Sequence, residues 1–160
     1  MSKKISLFAL FFIVISYFFL ETTTLFDKKI TGDLIKIYDG DTITVLSGSE
    51  KLKIRFFGID APELKQEFGK ESREHLLKIC PLNSKVELFV KSIDKYKRIV
   101  AIIKCNGKIL NQEQVRQGYA WAYTDYSFLY SLDHLKAKNE KLALWGSPNP
   151  IEPKVWRKSK

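Results

Sequence analysis

The stretch ITGDLIKIYDGDTITVLSGSEKLKIRFFGID, residues 30–60, decides the fold. Its segments TGDLIKI, DTITVL and KLKIRFFGI alternate apolar with polar residues or are rich in β-branched ones, which is the pattern of half-buried strands. YDG and SGSE between them are turn sequences. Three short strands joined by tight turns predict an antiparallel meander. The third strand carries Arg55 inside an apolar run and ends at Gly58, with Asp60 and Glu63 just beyond. Arg55 and Asp60 are five positions apart, so a regular strand would aim them at opposite faces. Gly58 is placed to break the strand and re-aim the later residues.

Downstream, residues 67–79 are highly charged, with Phe68, Leu76, Leu77 and Ile79 apolar. This predicts a surface helix across one end of the sheet, stopped by Pro81. VELFV and IVAIIKC are two more strands, and Asn106-Gly107 is a turn signal. LNQEQVRQG predicts a short helix closed by Gly118. SLDHLKAKNEKLALWG predicts a second, with Leu132, Leu135, Leu142 and Ala143 on one face and Gly146 at its end. The tail SPNPIEPKVWRKSK has three prolines and is expected to be extended, with Trp156 pinning it to the domain. The fold class is therefore α+β: a five-stranded barrel of oligonucleotide-binding (OB) type with about three covering helices.

Upstream, MSKKISLFALFFIVISYFFLETTT places two lysines before sixteen uncharged residues, Ile5 to Leu20. That is the layout of an export signal, and a hydrophobic helix is expected there ahead of the barrel. A cleaved signal and an uncleaved membrane anchor through residues 5–20 both fit. The expected organisation is a signal or anchor with its linker over 1–28, the barrel domain over 29–147 and a basic, proline-rich tail over 148–160. Residues 21–160 should work outside the cytoplasm.

The chain has 160 residues, enough for one domain, and a formal net charge of +9. Without residues 1–20 it still carries 25 basic and 18 acidic residues, a net +7. Such a surface suits polyanions, either nucleic acid or anionic lipid. Cys80 and Cys105 are the two cysteines. In an oxidising compartment they form either a disulfide or two buried thiols. They are too few, and His75 and His134 too scattered, for a zinc site. Both histidines fall on predicted helices away from the acidic clusters and suit packing or surface roles. Trp121, Trp145 and Trp156 suit packing.

Four clusters carry chemistry: DGDT at 39–42, Arg55, DAPE at 60–63 and DKYKR at 94–98. Phosphodiester hydrolysis needs a base for the attacking water and positive charge for the phosphorane. A carboxylate serves as the base. Arginine grips phosphate because its planar fork donates two hydrogen bonds and stays charged. Aspartates and a backbone carbonyl are hard oxygen donors, suited to Ca²⁺ or Mg²⁺ rather than zinc. Each cluster alone also has a structural explanation, such as a capped turn or a helix N-cap at Asp60.

Together, and in this order, DGDT, IRFFGIDAPE, FGKES, DKYKR and LNQEQVRQGYAWAY resemble the thermonuclease, or staphylococcal nuclease-like, family from about Gly32 to Trp145. The resemblance implies the OB-type barrel with helices and a Ca²⁺-dependent nuclease of low sequence specificity acting on DNA and RNA, single-stranded or frayed, to leave 3′-phosphate ends. It matches Asp41, Asp60 and the carbonyl of Ala61 to the Ca²⁺ ligands. It matches Glu63 to the general base, and Arg55 and Arg98 to the arginines that grip the scissile phosphate. Asp39 would sit beside the metal without ligating it. Tyr96 and Tyr123 match tyrosines near the nucleotide, and a monomer is expected. Lys97 stands where the family often has glycine, which adds charge for the substrate and restricts the loop before Arg98. Ala61 replaces a common threonine but keeps the carbonyl. The loop before DKYKR is shorter than in some members. The competing readings are a non-catalytic nucleic-acid-binding OB module, which would not need all five acids and arginines, and a membrane-attached adaptor, which leaves the acids unexplained.

Overall fold

In the computed structural model the described residues are 28–159. The predicted N-terminal hydrophobic helix lies outside them. The opening meander forms as expected: β1 (Lys28–Ile37), β2 (Thr42–Ser47) and β3 (Glu50–Phe56) pair antiparallel, with Leu34 opposite Val45 and Ile43 opposite Ile54. A register shift between Leu34 and Lys36 breaks the alternation of β1. It lets both Leu34 and Ile37 face inward and turns the chain toward the DGDT loop.

β1 also pairs with β5 (Lys85–Ile93), and β5 with β6 (Ile99–Cys105). Parallel pairing of β3 with β6, from Ile54–Ile99 to Phe56–Ala101, closes the five strands into a barrel. Leu34, Ile43, Ile54, Phe56, Leu88 and Ile103 fill it. β4 (Ile59–Asp60) pairs with β8 (Trp121–Ala122) beside the barrel. β7 (Lys108–Ile109) folds back on β6. The turn between them is Asn106-Gly107, both at positive φ as a tight hairpin turn demands.

Helix α1 (Gly69–Ile79) covers one end, and α2 (Leu110–Arg116) packs beside it. α1 starts two residues later than expected because Phe68 adopts φ 62°. Its ring packs instead with a second apolar cluster of Trp121, Ala137, Leu144 and Trp145. The helix predicted over 131–146 is two elements. α3 (Ser131–Asn139) ends, Lys141 turns left-handed at φ 53°, and a 3₁₀ turn (Ala143–Gly146) follows. That break lets Leu144 donate its N–H to the Gly118 carbonyl and sets Trp145 edge-on against Trp121. Leu132 and Leu135, expected on one face with Leu142 and Ala143, are 82% and 56% exposed.

The tail is extended only in part. Pro153–Lys158 forms a helix, α4, with Pro153 buried in its first turn, where a missing N–H costs nothing. The described residues thus hold four α-helices rather than three. Both histidines pack as expected. His75 meets Gln114 and stacks on Tyr119, while His134 accepts the Ala122 N–H and stacks on Trp145. Burial pushes both imidazoles below their usual pKa.

Cys80, at the end of α1, is bonded to Cys105, at the end of β6, across 25 positions of chain. The Cys80→Ala/Cys105→Ala variant is expected to lose ~3 kcal/mol, the loop-closure contribution of a crosslink of this span. Urea unfolding of the two proteins checks this. An unchanged midpoint would mean that the staple contributes nothing to the fold.

Candidate active site

The β2–β3 register sets Thr42 opposite Arg55, so Asp41 lies directly beside that arginine. The Asp41 carbonyl also accepts the Phe56 N–H at 2.8 Å. Gly58, at φ 72°, ends β3 and folds the chain back, resolving the parity problem. Asp60 thereby returns to the same guanidinium. Arg55 Nη1 is ion-paired with Asp41 Oδ2, and Nη2 lies 2.7 Å from Asp60 Oδ1. The Asp41 carboxylate also accepts the Ala61 N–H at 2.6 Å and the Thr42 hydroxyl at 3.0 Å. Asp39 accepts the Asp41 N–H at 3.0 Å, an Asx turn. Burial and the neighbouring Asp41 carboxylate push the Asp39 carboxyl up to about 7. Burial also raises Asp60, against the opposing pull of its Arg157 hydrogen bonds.

Two helices brace this loop. Gln114 is fully buried and donates from Nε2 to the Gly40 carbonyl at 2.8 Å and the Ser72 carbonyl at 3.0 Å. Asn111, one helical turn earlier, accepts the Ile103 N–H and donates to the Phe57 and Ala101 carbonyls. Sequence reading passed over both. Their signal was an i, i+3 pair of carboxamides flanked by Leu110 and Val115, hence on an inward face.

Glu63 stands at the rim of the pocket with its side chain 35% exposed. Its carbonyl accepts the Gln66 N–H, and the start of α1 packs tightly against it. A Cβ at Gly69 would lie 1.9 Å from the Glu63 carbonyl oxygen. Gly69→Ala is therefore expected to shift the Glu63 loop, lowering stability by ~1–3 kcal/mol, as overpacking does. Thermal unfolding would measure it, and an unaltered melting temperature would mean the loop yields freely.

Arg98 stands apart from the acids. Its Nε is 2.7 Å from Asp94 Oδ2, and its guanidinium lies 5.4 Å from the Tyr96 ring centroid. It precedes β6, whose Val100 pairs with Arg55, so its loop starts next to the site. Lys97 has φ 60°, a conformation that suits glycine, the residue whose place it takes. Tyr96 is 67% exposed. Tyr123 follows β8, donates its N–H to the Gly58 carbonyl and lies edge-on to Tyr126. Burial, and then the charge of Asp60, raise its phenol pKa. The structure thus joins Asp39, Asp41, Arg55, Asp60 and Glu63 and sets Tyr123 nearby. It adds to the pocket a further residue that sequence reading missed. Arg157, from α4, contacts both Asp60 and Glu63.

The family model described as "Staphylococcal nuclease homologue" matches residues 53–147. The chain belongs to the staphylococcal nuclease family. It is 39% identical over 136 residues to an "Uncharacterized endonuclease" of Haemophilus influenzae, covering 82% of this chain and 75% of that one. It is 32% identical to a "Micrococcal nuclease" of Shigella flexneri, over 80% of each. It is also 37% identical to the "Staphylococcal-like nuclease CAN1" of Arabidopsis thaliana, over 70% of this chain and 35% of that longer protein.

For this family member the donor chemistry of the pocket suits a hard divalent cation. Asp41 and Asp60 converge on one guanidinium, so their oxygens lie within a single group's reach, and Ala61 follows directly. Among the described residues no three His, Cys, Asp or Glu side chains converge as a cation site.

Proposed function

We propose that this protein is an exported, Ca²⁺-dependent nuclease that hydrolyses DNA and RNA with little sequence preference and leaves 3′-phosphate ends. The observation that carries the reading is Arg55 held between Asp41 and Asp60 with Glu63 at the rim. Cationic phosphate-gripping chemistry and a basic carboxylate thus meet at one spot. Glu63 accepts the proton of the attacking water. The new P–O bond forms as the P–O5′ bond breaks, and the departing 5′ oxygen takes its proton from solvent water. Arg55 has five N–H donors and uses two nitrogens on the aspartates, so its fork can also face phosphate. Arg98 reaches phosphate by exchanging Asp94 for it. Tyr96 and Tyr123 offer faces for the nucleotide. Bound Ca²⁺, held by Asp41, Asp60 and the Ala61 carbonyl, would neutralise charge gathering on the phosphate oxygens. The net positive charge draws in the polyanion. Residues 1–28 would direct export, as a cleaved signal or as an anchor.

Cleavage of single-stranded DNA and of RNA is measured with Ca²⁺, with Mg²⁺ and with a chelator, and the product ends are determined. Cleavage with Ca²⁺ that stops in chelator and yields 3′-phosphates is the expected result. Tight oligonucleotide binding without cleavage would instead make the chain a binding module.

A further inference from the structure

We propose that Arg157 is an internal counter-cation for the acid pocket, a positioning residue that holds Asp60 and Glu63 and competes with a divalent cation for them. The inference rests on the Ca²⁺ reading proposed above.

Arg157 reaches the pocket from the far end of the chain. Its Nη2 lies 2.8 Å from Asp60 Oδ2 and its Nη1 3.2 Å from Asp60 Oδ1, so the fork sits side-on across the carboxylate. Nη1 also lies 2.9 Å from Glu63 Oε1. With Arg55 on Oδ1 as well, both oxygens of Asp60 are engaged by guanidinium. Those are the oxygens that a cation would need. A carboxylate cannot offer the same lone pairs at full strength to a guanidinium and to a metal, so the two ligands compete.

The tail is anchored by contacts that do not involve Arg157. Gln66 Nε2 donates to the Ile151 carbonyl at 2.6 Å. Trp156, Pro150 and Ile151 line one groove with Phe68 and Leu144. Lys154 pairs with Asp125 at 3.1 Å. Pro153 is buried. Arg157 sits in the last turn of α4, with its side chain 40% exposed against 2% for Asp60. The guanidinium can therefore swing into solvent by side-chain rotation while the helix stays docked. The tail then sets two states of the pocket: closed by Arg157, or open with Asp60 Oδ2 free for a cation and Glu63 free to take a proton. Because only the open state binds, apparent affinity falls by the fraction of time Arg157 is away.

The test uses the full chain in mild detergent, with CaCl₂ alone as ligand and no nucleic acid. Calorimetric titration compares wild type, Arg157→Gln and Arg157→Lys, and the Arg157 Nε–H signal of the wild type is followed by NMR during the same titration. Arg157→Gln is expected to bind Ca²⁺ about tenfold more tightly. Arg157→Lys, which keeps the charge but not the fork, should fall between. The wild-type Nε–H signal should shift as Ca²⁺ saturates. Equal or weaker Ca²⁺ binding by Arg157→Gln, or an Nε–H signal that saturating Ca²⁺ leaves unmoved, overturns the proposal. Failure of every form to bind Ca²⁺ overturns the metal reading itself, and this inference with it. The NMR arm needs no variant, so a misfolded substitution cannot protect the idea.

Discussion

Glu63→Gln is expected to slow DNA cleavage by about 10²–10⁴-fold, the contribution typical of a positioned general base. Glutamine keeps the shape and the hydrogen-bonding oxygen but cannot hold the proton. Glu63 stands at a half-exposed rim, and its pairing with Arg157 is of the exposed kind that contributes at most ~1 kcal/mol. Stability should therefore barely change, which separates this variant from one that merely unfolds. Ca²⁺ binding should also survive, because Asp41, Asp60 and Ala61 are untouched. A rate within a few-fold of wild type would remove Glu63 from the role of base and leave the pocket without an assigned one.

Local pattern showed much of this architecture, and long-range closure was where it stopped. The β1–β2–β3 meander follows from alternation and turn chemistry, both readable within short windows of sequence. The Asn106-Gly107 turn follows from the two residues that tolerate positive φ best. The parallel β3–β6 seam joins segments far apart in the chain, and no local signal encodes it. α3 misled because Leu132 and Leu135 have helical spacing, yet nothing among the described residues covers them. The break at Lys141 is imposed by packing of Leu144 and Trp145 on Gly118 and Trp121, a tertiary demand that overrides propensity. In the tail, three prolines suggested an extended chain, but Pro153 occupies the one helical position that accepts it. The site divides the same way. Asp41, Arg55, Asp60 and Glu63 lie within a short span joined by two turns and were legible. Arg157 lies 97 positions from Asp60 in a lysine-rich tail, where a basic residue looks like solvated charge.

Arg55→Ala should be the most damaging single change in the pocket, because it removes positive charge from two buried acids at once. The Asp41 and Asp60 side chains are 6% and 2% exposed. Stripping one partner from a buried pair destabilises by ~3–5 kcal/mol, since the remaining charge is left in a poorly solvating interior. Arg157 still covers Asp60, which places the expectation at the lower end and the fall in melting temperature at about 10 °C. The loss should depend on pH with a definite sign. Burial already raises the Asp60 carboxyl above its usual value, and losing the lowering charge of Arg55 raises it further. It takes up a proton on folding, so lower pH favours the folded variant. The gap between wild type and Arg55→Ala should therefore narrow as pH falls from about 7 toward about 5. Arg55→Lys divides the two roles of this residue. One ammonium restores charge, so stability should recover in part. It cannot span Asp41 and Asp60 with a planar fork or grip phosphate at two oxygens, so cleavage should remain as poor as in the alanine variant. Melting curves and cleavage rates of both variants across that pH range make the comparison. If Arg55→Ala melts with wild type at neutral pH, the two aspartates carry no charge that needs compensating, and an acid pocket poised for a cation is the wrong picture of this site.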